Sequence, residues 1–168
     1  MQLIFIRHAE KNNKDLVNLS KQGVSRAKEL TRFFINQINY KIEIPEVIVA
    51  MKQHNKHSSN RSFETISDLA ETLSLNIVSD FKRDDTKDLI KFLNNQTTTT
   101  LVVFEHKKLI EMVIKMTGLK HLTWDSDNYS DIIVLENNSI YIYNSFEINS
   151  DNEIVYPDII INKFYSQY

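Results

Sequence analysis

The sequence predicts an α/β domain with helices on both faces of one sheet, and three observations carry that prediction. Short apolar runs (Leu3–Ile6, Glu46–Ala50, Leu75–Val78 and Leu101–Phe104) alternate with longer stretches of helical spacing. Two of these runs end at a histidine, in Arg7-His8 and in Glu105-His106. No linker, repeat or change of composition divides the chain, so residues 1–168 read as a single domain.

Each element follows from local pattern. Leu3–Ile6 is a buried strand. Val24, Ala27, Leu30, Phe33, Phe34 and Ile38 recur at i, i+3, i+4 after Ser20, a candidate N-cap. Glu46–Ala50 follows Pro45 and reads as a second strand, and 51–59 is a polar loop. Phe63, Ile66, Leu69, Ala70 and Leu73 predict a helix over Asn60–Leu73, before a short strand at Leu75–Val78. Leu89, Phe92 and Leu93 share one face of a helix over Asp85–Leu93. Leu101–Phe104 is the next buried strand. Leu109, Val113, Ile114 and Met116 then predict a helix closed by Gly118. Asp131–Leu135 and Ser139–Asn144 flank Glu136-Asn137-Asn138 as a β-hairpin. The tail after Phe146, with its apolar Ile159–Ile161, has no clear period.

Composition excludes several function classes. The net charge is -2, which disfavours a general nucleic-acid or anionic-membrane surface. No apolar run approaches the roughly 20 residues of a membrane span, and Leu3–Ile6 is too short for a signal-peptide core. With no cysteine, disulfides and thiolate metal sites are excluded, which fits a cytoplasmic location. The two glycines, Gly23 and Gly118, cannot build a P-loop or a dinucleotide fingerprint.

The chemistry-bearing residues gather where strands end and helices begin. Ligands bind at the carboxyl edge of a parallel sheet. Arg7-His8, Arg61 and His106 all fall at such places, and two Arg with two His would cradle a dianionic tetrahedral group. Guanidinium forks match phosphate oxygens bidentately, and a histidine can attack phosphorus and hold it as a phosphoramidate. The remaining cations would stabilise the equatorial oxygens. A carboxylic acid must still protonate the leaving oxygen. Glu10 and Glu105 are the neighbours available, and strand alternation puts Glu10 on the nucleophile's side.

These motifs, in this order, resemble the histidine phosphatase (phosphoglycerate mutase-like) superfamily. Arg7-His8-Ala9-Glu10 is similar to its Arg-His-Gly hallmark, and Leu19-Ser20-Lys21-Gln22-Gly23 to its first helix start. Arg61-Ser62-Phe63-Glu64-Thr65 resembles its Arg-Ala-x-x-Thr motif, and Val102–His106 the strand leading to its second histidine. The resemblance implies a three-layer α/β/α sandwich with a mostly parallel sheet. It further implies a phosphatase of small phosphorylated substrates or phosphoproteins, with no metal or cofactor. His8 would be the nucleophile, and Arg7, Arg61 and His106 would bind the phosphoryl group. A weakly catalytic phospho-ligand module and a phosphotransferase or mutase are the alternatives. The chain departs from the pattern at Ala9, in a longer 50–61 segment, and at Lys107-Lys108.

The remaining candidates have two readings each. Asn12 or Asn13 is a phosphate donor or a turn residue, and Lys107 is a substrate contact or a solvated helix start. His54 and His57 read as solvated loop residues rather than a metal pair, and His121 as incidental. Trp124 and Tyr129 read as packing residues.

Overall fold

The computed structural model describes residues 1–39, 41–157 and 161–166, the last stretch as backbone; Ile159 and Ile160 of the tail lie outside the described residues. The elements run β1 (Leu3–Arg7), α1 (Lys21–Ile35), β2 (Val47–Ala50), α2 (Arg61–Thr72), β3 (Ile77–Val78), α3 (Thr86–Asn94), β4 (Thr100–Phe104) and α4 (His106–Thr117). They continue as β5 (Asp131–Glu136), β6 (Ser139–Asn144), β7 (Glu147–Ile148), β8 (Ile154–Val155) and β9 (Ile161–Ser166).

The main sheet has the order β3-β2-β4-β1-β5-β6-β9. Its first four strands are parallel; β5, β6 and β9 extend it antiparallel beyond β1. All five residues of β1 and of β4 are buried, as strands covered on both faces require. Alternation divides their side chains between two cores. Ile4, Ile6, Leu101 and Val103 pack with Leu30 and Phe33 of α1 and Ile66 and Leu69 of α2. Phe5, Val102 and Phe104 pack with Leu89 and Leu93 of α3 and Leu109, Met112 and Val113 of α4. Three layers result, and each fully buried large apolar side chain contributes about 1.5–3 kcal/mol.

Element ends differ from the periodic pattern for local reasons. Helix α1 stops at Ile35, and Gln37 turns left-handed at φ 45°, leaving Ile38 outside the helix and exposed. Val24 and Phe63 also face solvent rather than the core. Ser74, at φ 56°, delays the next strand, so β3 keeps only Ile77–Val78. The hairpin turns through Asn137 and Asn138 at φ 48° and 60°, the pair of positive angles a tight two-residue turn requires. Phe146 and the β7–β8 hairpin cover α1: Phe146 packs on Phe33, and Tyr156 donates to Glu29. Among the described residues no helix is long and apolar enough to cross a membrane.

The start of α1 is pressed against the chain leaving β1. The Ser20 hydroxyl accepts from Gly23 N at 3.0 Å while Ser20 N donates to Glu10 O at 2.9 Å. A Cβ at Gly23 would stand 2.4 Å from Glu10 O, inside contact distance of backbone that cannot swing away. Helix propensity alone would make Gly23→Ala stabilising by up to ~1 kcal/mol. We expect instead a destabilisation of about 1–3 kcal/mol from overpacking, read as a lower urea midpoint. An unchanged or higher midpoint would show that this contact relaxes freely.

Candidate active site

Parallel pairing brings two strand ends together. Arg7 stands opposite Phe104 in the β1–β4 register, and His8 N donates to Phe104 O at 3.2 Å. His8 and Glu105-His106 therefore leave adjacent strands at the same edge. Helix α2 supplies Arg61 at its first turn. One turn later, the buried Thr65 hydroxyl donates to Arg61 O at 2.7 Å and accepts from Ala9 N at 2.8 Å. That hydroxyl fixes the chain beside His8 relative to the base of Arg61.

His8 is 3% exposed. Its Nδ1 lies 2.8 Å from Ala9 O, and a carbonyl only accepts, so Nδ1 carries the proton. Burial pushes the His8 pKa down to about 3, reinforced by the positive charges of Arg61, Arg7 and His106 and opposed by the Ala9 hydrogen bond. His8 is thus a neutral imidazole at pH 7 whose Nε2 keeps its lone pair. That is the form a nucleophile needs.

The arginines are sunk beside it without neutralisation. Arg7 is 7% exposed. Its guanidinium donates to the carbonyls of Ser126 and Asn128 and, at 3.2 Å, to the Tyr129 hydroxyl. The Tyr129 ring lies 3.9 Å below it. Among the described residues no carboxylate forms an ion pair with Arg7 or Arg61. The Nε of each is buried with no acceptor. Burial lowers the pKa of both guanidiniums, and their neighbours only partly offset it. A buried donor without an acceptor costs about 1–3 kcal/mol, more when charged, so two in one pocket point to an anion.

His106 opens α4, and burial holds its pKa below the ordinary value, with Arg7 and Lys107 adding to the effect and Glu105 opposing it. Glu105 is the α4 N-cap, accepting from Lys107 N at 3.1 Å. Its Oε1 lies 3.0 Å from His106 Nδ1 and its Oε2 3.5 Å from Arg83. The first of these contacts has ion-pair distance but not hydrogen-bond alignment.

Strand β1 ends at Arg7, and the Glu10 carboxylate meets Arg26, whose Nε and a terminal nitrogen both lie 2.8 Å from Oε1. Asn12 closes its own turn, accepting from Lys14 N at 2.9 Å. Asn13 and Lys107 are exposed, and Lys107 lies close enough to bear on His106. His54 and His57 are exposed, and no cluster of three or more potential metal ligands occurs among the described residues. A cavity of about 360 Å³ adjoins the site, lined by the 51–59 loop (Lys52, His54, Ser59) and by Lys82, Arg83 and Asp84.

Tyr129 is the residue that sequence reasoning missed. Nothing in its local pattern separates it from a packing aromatic. Its place follows from topology: β5 runs antiparallel to β1 with Ile132 opposite Ile6, so the segment just before β5 lies beside Arg7.

The buried neutral state of His8 predicts a pH effect on stability. The unfolded chain holds a proton on His8 below pH 6.5, whereas the folded chain does not until about pH 3. Acidification through that window therefore favours unfolding, by up to ~1.4 kcal/mol per pH unit. Above pH 6.5 the effect vanishes. Denaturant titrations at pH 7, 6, 5 and 4 should show wild type losing stability more steeply than His8→Gln. Parallel pH slopes would contradict a buried neutral His8.

Neither a family model nor a curated protein matches the sequence. Solved structures do match the fold. A protein histidine phosphatase, SixA, complexed with tungstate superposes with a TM-score of 0.57 at 14% identity, covering 99% of this chain and 97% of that one. A mycobacterial glucosyl-3-phosphoglycerate phosphatase complexed with VO3 gives 0.57 at 11% identity, over 80% of this chain and 92% of that one. A phosphoglycerate mutase from Plasmodium falciparum gives 0.56 at 14%, over 97% and 98%. These likenesses run over most of the chain and are of fold: the chain has a phosphoglycerate mutase-like α/β fold.

Proposed function

We propose that this chain is a cytoplasmic phosphatase that hydrolyses phosphate monoesters, on small molecules or on proteins, through a phosphohistidine at His8. The observation that carries the reading is the pair of buried, acceptorless arginine Nε donors beside an uncharged histidine. A phosphoryl group supplies what both lack: acceptor oxygens for the arginines and an electrophile for Nε2. Phosphatases named among the structures of this fold, SixA and the glucosyl-3-phosphoglycerate enzyme, support it.

In the first step His8 Nε2 bonds to phosphorus as the ester P–O bond breaks and the leaving oxygen takes a proton. The Nδ1–H donated to Ala9 O stabilises the imidazolium character that develops. Arg7, Arg61 and His106 bind the equatorial oxygens. In the second step water loses a proton and attacks phosphorus as the P–Nε2 bond breaks, releasing inorganic phosphate and returning His8 to its neutral form. We assign the proton transfers to Glu105, which lies at His106 and reaches toward the 360 Å³ cavity through Arg83 and Asp84. Glu10 is assigned the structural role of holding Arg26. The leaving group is assigned to this cavity, bordered by the 51–59 loop, and Lys107 lies outside its lining.

His8→Ala should remove essentially all turnover of p-nitrophenyl phosphate while leaving the fold intact. An acid-labile, base-stable phosphate should map to His8 after rapid quenching. Activity should survive exhaustive EDTA treatment, because the arginines supply the electrophilic assistance. Phosphate mapping to His106, or turnover surviving in His8→Ala, would overturn the mechanism. Phosphate binding without turnover would identify a phospho-ligand module, and transfer to an added acceptor in preference to water a phosphotransferase.

The two carboxylates separate by leaving group and by stability. Glu105→Gln should slow alkyl phosphates far more than p-nitrophenyl phosphate, whose leaving group hardly needs a proton. Glu10→Gln should lower stability by about 3–5 kcal/mol, because Arg26 loses its buried partner, without that leaving-group dependence. The opposite pattern would restore Glu10 as the acid.

A further inference from the structure

We propose that Tyr129 is a positioning residue for Arg7: a carboxylate-free clamp that orients the guanidinium toward the anion while leaving its charge unspent. The proposal rests on the reading of the site as phosphate-binding and extends it to a residue outside the strand-end motifs.

Four contacts define the clamp. The ring lies 3.9 Å from the Arg7 guanidinium carbon, well inside cation–π range. The phenol oxygen accepts from one terminal nitrogen at 3.2 Å, and the carbonyls of Ser126 and Asn128 accept from the other. Both outer nitrogens are thereby fixed, and Nε remains without an acceptor. The segment holding these acceptors is itself anchored. Asn128 Oδ1 accepts from Ser130 N and Asp131 N, each at 3.0 Å, and Trp124 Nε1 donates to Asn128 O at 3.0 Å.

The same ring faces more than one cation. Arg26 lies 5.9 Å from its centroid. Two guanidiniums thus face one half-buried phenol, and among the described residues Arg26 pairs with a carboxylate, Glu10, whereas Arg7 does not. A carboxylate in place of Tyr129 would hold Arg7 equally well but would compete with the dianion for its charge. An aromatic face attracts a cation without carrying a full negative charge. That difference is why the clamp suits an anion site.

The test measures inorganic phosphate binding by calorimetry in wild type, Tyr129→Phe, Tyr129→Leu, Arg7→Lys and the Arg7→Lys/Tyr129→Leu double variant, with p-nitrophenyl phosphate kinetics alongside. Tyr129→Phe keeps the ring and loses the one hydrogen bond its hydroxyl accepts from the Arg7 guanidinium, while the Ser126 and Asn128 carbonyls still hold Arg7, so phosphate should bind about threefold more weakly. Tyr129→Leu loses both contacts and should weaken binding about 30-fold. Because Tyr129 acts through Arg7, adding Tyr129→Leu to Arg7→Lys should weaken phosphate binding no further. Additive losses in the double variant would overturn the proposal, as would a lowered Tm with unchanged phosphate affinity. Should Tyr129→Leu fail to fold, Tyr129→Phe decides: unchanged phosphate affinity there overturns the hydroxyl clamp, and a threefold loss supports it. Variants that follow these binding ratios in a chain with no turnover would sink the phosphatase reading and leave the clamp standing.

Discussion

Positive charge held at a strand end with no carboxylate in direct contact, among the described residues, is the constraint on which this structure turns. Arg7 and Arg61 sit beside a histidine that cannot afford a proton, and the described residues place no carboxylate against either guanidinium. Such an arrangement costs folding free energy. It persists because the surrounding fold leaves the side chains little alternative. β1 is covered on both faces and pairs on both edges, so the end of the strand, and with it Arg7, has one available position. Helix α2 is seated on the first core by Ile66 and Leu69 and tied to the chain beside His8 through Thr65.

Secondary structure was largely legible because the signals were local. The continuous apolar runs of β1 and β4, the Ser20 cap and the Asn137-Asn138 turn each state their conformation within a few residues. Element ends were less so: Gln37 and Ser74 adopt left-handed angles that their residue types do not demand, closing α1 and α2 through bonds from Ile38 N to Phe33 O and from Leu75 N to Ala70 O. The tail was illegible for another reason. β7 and β8 are two residues each and exist to cover α1 through Phe146 and Tyr156, a relation with no period to read.

The site divided along the same line. His8, Arg7, Arg61 and His106 are legible as candidates because strand ends and helix starts are visible in sequence; pairing of β1 with β4 sets the two histidine-bearing ends side by side, and Thr65 ties the start of α2 to Ala9. Tyr129 is not, since its neighbourhood depends on β5 running back along β1. Glu10 depends on more than a local rule. Alternation sees neither Arg26, which its carboxylate holds, nor the start of α1, where Ser20 N meets Glu10 O. Gly23 makes that meeting possible, because only a residue without Cβ lets α1 rest on Glu10 O.

Negative charge in the site is distributed as carefully as positive. Glu10 is drawn to Arg26, which also donates to Phe146 O and so ties the pair to the tail that covers α1. Glu105 is shared among the α4 N-terminus, Arg83 and His106. Either carboxylate, swung onto Arg7 or Arg61, would satisfy a buried donor. Arg26 and Arg83 instead hold the two carboxylates near enough to shape the field, while among the described residues the Nε donors of Arg7 and Arg61 keep no acceptor.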